Sequence, residues 1–133
     1  MEHSRILLER HVNISTVETL ERIQKIAPQL VEFAKSFVGK DYSYLDFNCA
    51  HFIRMVYGKF NIPILVNATI EPIVNFNDSS EVGKMVLLKH RKYQSRHMAI
   101  YIGENQVIHN SFYFGKKVVV SNLGDVLKVY CLC

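Results

Sequence analysis

With 133 residues, 49% of them hydrophobic and 21% charged, the chain has ordinary globular composition and the length for one domain with a real core. A net charge of +4 and a pI near 9.0 favour anionic surroundings such as a bacterial wall, nucleic acid or lipid headgroups without selecting among them. No Lys/Arg block with interleaved aromatics marks a nucleic-acid interface, and no apolar run is long enough to span a bilayer.

Residues 1–14 contain no apolar run of signal-peptide length. The protein is therefore expected to be made in the cytoplasm, with another device carrying it to the periplasm, the wall or a target cell if it acts there. Ser15-Thr16-Val17-Glu18 reads as a capping box, followed by Val17, Leu20, Ile23 and Ile26 or Ala27 at helical spacing. Pro28 interrupts this pattern and suits the first turn of a second helix, whose apolar face is Leu30, Val31, Phe33, Ala34, Phe37 and Val38, with Gly39 as its stop. The division expected is an extension over 1–27 carrying one helix, and a main domain over 28–133.

Residues 40–47, KDYSYLDF, form an aromatic-rich loop. Asn48 then caps a helix running to about Phe60, with Phe52, Ile53, Val56, Tyr57 and Phe60 as its buried stripe and Cys49 one turn earlier on the same side. Asn61 and Pro63 end it, and 64–82 reads as a long connection. From Gly83 the texture changes to short β-type runs: Met85–Lys89, His97–Ile102, Gln106–Asn110, Lys117–Ser121 and Val126–Leu132. The expected class is α+β, with N-terminal helices packed on a C-terminal antiparallel sheet of about five strands.

Cys49, Cys131 and Cys133 are an odd set with two members at the C-terminus, which is no disulfide framework. Cys131-Leu132-Cys133 is also too short for the usual metal-ligand spacing, and a reducing compartment is the expected site of synthesis. Cys49 stands apart. In the first turn of a helix, unpaired backbone N–H groups and the helix dipole favour a negative sulfur, and the same N–H groups can donate to an oxyanion. If Gly103–Asn105 is a three-residue hairpin loop, Ile102 pairs with Gln106 and Ala99 faces His109. His97 and His109 then become diagonal neighbours on one face, with Ala99 leaving room for the Cys49 helix. On this geometry His97 is the base and His109 orients it. A zinc site from Cys49, His97 and His109 lacks an evident fourth ligand. Each of the three taken alone is more simply a packing or satisfied polar residue.

With these runs in view, the chain resembles the NlpC-type cell-wall cysteine peptidases, papain-like enzymes of reduced size. NCAHFIRMVYGKFNI is similar to their nucleophile motif DCSGF with its following helix, and HMAIYIGENQVIHNS to HVGIYIG with IHAS. FAKSFVGKDY matches the helix and G-x-P-Y loop entering the site, and GKMVLL the GDLVFF strand, so the resemblance runs from about residue 28 to the C-terminus. It implies hydrolysis of amide bonds in peptidoglycan stem peptides through a Cys49 acyl-enzyme, with His97 as base and His109 as orienting residue. Tyr42 and the Cys49 backbone N–H would lie near the oxyanion, Asn48 and His51 would border the substrate, and no metal or organic cofactor would be needed. The chain departs from the family at Asn48, where the family has Asp, at Ala50-His51, where it has Ser-Gly, and at Lys84, where it has Asp.

Those departures leave two other readings open. One is a thiol amidase, deamidase or acyltransferase acting on a non-wall substrate, as an effector would. The other is an inactive structural or binding module, such as a phage tail component. Partners expected are the amide substrate, a secretion or phage delivery partner and a cognate inhibitor.

Overall fold

Thr19, Ile23, Ala27, Leu30 and Ala34 recur at three- and four-residue steps and all are buried, which is the inward stripe of an amphipathic helix. A computed structural model of the protein describes residues 16–62, 79–90 and 96–131. In it this stripe belongs to a single helix, α1, Thr16–Lys35. The second helix expected to begin at Pro28 is instead a continuation of the first. The physical reason is position: Pro28 and Gln24 are both exposed, so the carbonyl that loses its N–H partner is solvated by water. The Ser15 half of the capping box, Pro63 and most of the 64–82 connection lie outside the described residues. The helix ends at Lys35, and Gly39 follows in the next turn with φ +93.

The loop over 40–48 is stitched to its surroundings by backbone hydrogen bonds. Ser43 and Phe47 exchange both N–H···O bonds at 2.9 Å, and the Tyr42 N–H donates to the Lys116 carbonyl at 2.9 Å. Helix α2, Cys49–Lys59, follows with Asn48 as its cap, and Phe52, Ile53, Val56 and Tyr57 are buried. Asn61, at φ 60, turns the chain away. One Arg22 nitrogen donates to the carbonyls of Phe60 and Asn61, both at 3.1 Å, and ties α1 to the end of α2.

A short 3-10 turn, Ser79–Glu81, leads into β1, Met85–His90. Then come β2 (Arg96–Gly103), β3 (Gln106–Ser111), β4 (Lys117–Asn122), α3 (Leu123–Val129) and the two-residue β5 (Tyr130–Cys131). The sheet is antiparallel, in the order β4-β3-β2-β1-β5. The α+β architecture, helices first and sheet second, is as the sequence indicates. The run read as a strand over Val126–Leu132 is different: its first part is helical. Asn122 accepts the Gly124 N–H at 2.8 Å as a cap, and Leu123 and Val126 are buried one turn apart.

Alternation of side chains puts two cores on the two faces of the sheet. Met85, Met98, Ile100, Ile108 and Val118 pack with α1 and α2. Val86, Leu88, Ala99, Tyr101 and Val107 pack with Leu123, Val126 and Tyr130. Each fully buried aliphatic or aromatic side chain contributes about 2 kcal/mol by leaving water. Gly83, at φ +92, lies where an added Cβ would be 3.2 Å from both Ile23 and Ala27, so α1 rests directly on the backbone leading into the sheet.

Candidate active site

Strands β2 and β3 are joined by a two-residue turn, Glu104-Asn105, both residues at positive φ (54 and 58). Gly103 pairs with Gln106, and a bulge at Ile102 restores the pairs Tyr101↔Val107 and Ile100↔Ile108. The three-residue loop expected here is thus a shorter turn plus one extra residue. The two errors cancel, so His97 and His109 still come out as diagonal neighbours on one face. His97 Nε2 and His109 Nδ1 are 2.7 Å apart.

The ladder between β2 and β3 stops at Ile100↔Ile108, although both strands run on to Arg96 and Ser111. The start of α2 sits in the gap this leaves. The Met98 N–H, not taken by β3, points at Cys49 Sγ. On the other side Asn110 Nδ2 donates to the Phe47 carbonyl at 2.7 Å and reaches the Asn48 carbonyl at 3.4 Å. The parting strands therefore make room for the helix. Ala99, expected to do so, is packed in the opposite core with Val86 and Leu88.

Cys49 is half-buried at the first position of α2. Asn48 Oδ1 accepts the N–H groups of Ala50 (3.0 Å) and His51 (3.1 Å), and His51 Nδ1 accepts the Asn48 N–H at 3.0 Å. This is a capping box with histidine in the place usually held by Glu or Gln. Asn48 Nδ2 also donates to the Tyr44 carbonyl at 2.9 Å. The side chains expected at the border of the site, Asn48 and His51, thus hold the helix start and the loop before it.

Burial dominates the electrostatics. It pushes the Cys49 thiol up, against the opposing pull of the Met98, Ala50 and Cys49 N–H groups and of Arg54. It holds His97 well below its ordinary value, with the adjacent His109 ring acting in the same direction. Burial pushes His109 down to about 4. All three directions favour a resting pair of neutral thiol and neutral imidazole over a preformed ion pair. With its Nε2 taken by His109, the ring nitrogen of His97 available to a thiol is Nδ1.

Tyr130 stacks on His97 with centroids 4.3 Å apart and planes 12° from parallel, and its hydroxyl lies 3.1 Å from Ser111 Oγ. Burial, and after it the nearby Cys49 and tyrosine groups, push its phenol up to about 12. Phe114 packs on His109 at 5.1 Å, and His109 Nε2 is 2.8 Å from Ser121 Oγ. Tyr42 is half-buried on the Cys49 side, its phenol raised by burial and then by the Cys49 charge, and its ring contacts Phe112 at 6.0 Å.

The sequence reading missed Ser121, Tyr130, Asn110 and the Met98 N–H. Ser121 pairs with Val107, and His109 with Val119, so Ser121 stands diagonal to His109 as His109 does to His97. Extending the face argument by one strand finds it. Tyr130 was hidden by the helix before it. The two facing histidine nitrogens are already bonded to one another at 2.7 Å, closer than two ligands spread around one zinc ion. Among the described residues, no group of three or more His, Cys, Asp or Glu is placed to hold a metal.

The chain belongs to the NlpC/P60 family, whose family model matches residues 36–128. That family is one of cysteine peptidases and amidases. Two solved structures share the fold. NlpC2 from Trichomonas vaginalis superposes with a TM-score of 0.60 at 18% identity, over 74% of this chain and 42% of that one. NlpC1 from the same organism gives 0.60 at 16%, over 74% and 39%. The chain spans less than half the length of either. No curated protein is similar enough in sequence to count as a relative. Lys84, at the place of the family's strand-leading Asp, forms an ion pair with Glu81 at 2.9 Å. Among the described residues, no helix is long and apolar enough to cross a membrane.

Proposed function

We propose that the protein hydrolyses amide bonds through a Cys49 acyl-enzyme, with wall stem peptides as the substrate class its family points to. The observation carrying this is the meeting, in one gap between β2 and β3, of a helix-start thiol and the strand bearing His97, itself hydrogen-bonded to His109. His97 Nδ1 takes the thiol proton as the sulfur attacks the carbonyl carbon. The oxyanion is met by the Cys49 backbone N–H and by Tyr42. Collapse breaks the C–N bond, and the imidazolium returns its proton to the leaving amine. Water, deprotonated by the same nitrogen, then cleaves the thioester and releases the carboxylic acid and the thiol. Asn48 and His51 shape the near wall by fixing the helix start.

A second reading, a thiol amidase or acyltransferase acting on a non-wall substrate, is favoured by the rim. Tyr44 and Leu45 are 76% and 77% exposed, and Phe112 and Tyr113 are 50% and 51% exposed. Tyr42 joins Tyr44, Phe112 and Tyr113 to Cys49, contacting Phe112 directly. A group of exposed apolar side chains beside a nucleophile suits an apolar substituent on the substrate better than the polar, charged stem peptide.

The test is digestion of purified wall peptides and of apolar-substituted amides by the wild type and by Cys49→Ala. Loss of at least about a thousandfold in the variant is expected. Undiminished turnover would sink the acyl-enzyme. A Cys49 thiol that iodoacetamide modifies no faster than a thiol in the unfolded chain, together with no turnover, would leave a binding module.

A further inference from the structure

The structure assigns Ser121 a role as the positioning residue that supports the proton order His97 needs to act as base; the inference rests on the reading of Cys49 and His97 as nucleophile and base. A neutral imidazole carries one N–H and one lone pair. His97 Nε2 faces His109 Nδ1 at 2.7 Å, and His109 Nε2 faces Ser121 Oγ at 2.8 Å. Only two proton orders satisfy both contacts. In the first, Ser121 accepts from His109 Nε2–H, His109 Nδ1 accepts from His97 Nε2–H, and His97 Nδ1 is left with a lone pair for the thiol. In the second, Ser121 donates, every bond reverses, and the proton sits on His97 Nδ1, where it blocks the thiol.

Proton transfer from Cys49 selects between them. The His97 imidazolium has both nitrogens protonated, so its Nε2–H requires His109 Nδ1 as acceptor. His109 Nε2 must then carry a hydrogen. His109 is fully buried, so that N–H needs a fixed acceptor, and Ser121 Oγ at 2.8 Å is placed to be one. Without it the ion-pair state leaves a buried donor unsatisfied. The resting pair is also free to take the blocked order. A carboxylate in this place could act only as acceptor and would leave no choice of order; a hydroxyl permits both and relies on the base's own charge to choose.

Ser121→Ala and Ser121→Thr are the variants, read two ways in the full-length protein. Imidazole 15N NMR reports which nitrogen of His109 bears the proton, and needs no substrate. In Ser121→Ala the share of His109 with its proton on Nδ1 is expected to rise well above the wild-type share, because Nε2–H has lost its acceptor. Steady-state kinetics on whichever of the wall peptides or apolar-substituted amides the wild type turns over should show kcat down about 10- to 100-fold in Ser121→Ala with KM within about twofold, by analogy with other orienting partners. Ser121→Thr, which keeps the hydroxyl, should restore both the tautomer and the rate. An unchanged His109 tautomer in Ser121→Ala overturns the assignment whatever the rate does, and so does a rate loss that Thr does not restore. Failure of the catalytic reading shows separately, as a wild type with no Cys49-dependent turnover whose tautomer still responds to Ser121→Ala.

Discussion

At the scale of single residues, Asn48 explains why this chain departs from its family immediately before the thiol. Its Oδ1 accepts two N–H groups of α2 while its Nδ2 donates to the Tyr44 carbonyl. Aspartate caps a helix as well as asparagine does, but it has no hydrogen to give Tyr44. The loop conformation therefore selects the amide. Asn48→Asp is expected to fold, to lose about 1 kcal/mol at the Tyr44 contact, and to slow alkylation of Cys49 several-fold, because a negative charge beside the sulfur raises the thiol further. Denaturant midpoints and iodoacetamide rates measure the two effects, and an unchanged alkylation rate would show that the charge does not reach the sulfur. His51, read from the sequence as a cleft-wall residue, closes the capping box. Sequence spacing held that information, since His51 stands three residues after the cap, but a neutral histidine accepting through Nδ1 is an unusual filler for the place.

At the scale of elements, α1 carries a proline that propensity alone places at a helix start. Pro28 costs the helix one hydrogen bond, and the stripe from Thr19 to Ala34 holds the helix together regardless. Pro28→Ala should raise stability by about 1–3 kcal/mol, as the restored N–H and relieved ring clash outweigh the added freedom of the unfolded chain. A thermal melt that does not move upward would mean that α1 is locally bent to suit the ring. The hydrophobic periodicity of α2 and the β-type runs after Gly83 were legible because burial on one face leaves a strict pattern. The facing of His97 and His109 was legible for the same reason, since side-chain alternation survives an error in the turn when a bulge compensates it. Helix α3 was not legible. Seven residues with two buried positions fit a helix and a strand equally well, and a cap formed by Asn122 decides between them. With α3 went Tyr130, the ring stacked on His97.

At the scale of the whole molecule, two buried histidines held neutral link stability to pH. The unfolded chain binds protons at these rings from near their ordinary value of 6.5 downward, whereas native His109 does so only near 4 and His97 well below 6.5. Between those limits the unfolded state carries more protons, so stability is intact above about pH 6.5 and falls as pH falls toward 4. His109 alone accounts for about 3 kcal/mol of that loss. Urea midpoints at pH 7.5 and 5 should diverge strongly in the wild type and less in His109→Gln; equal divergence would place the titration elsewhere. The gap between β2 and β3 has a consequence for how the protein matures. Asn110 meets Phe47 across a sequence separation of 63 residues, and the Met98 N–H meets Cys49 across a comparable one. Contacts that distant carry a high loop-closure cost and depend on the rest of the fold to hold them. A chain still on the ribosome, or one that has lost its sheet, thus carries only an ordinary cysteine. On the proposed reading of Cys49, chemical competence depends on those long-range contacts, and a copy that loses them falls silent.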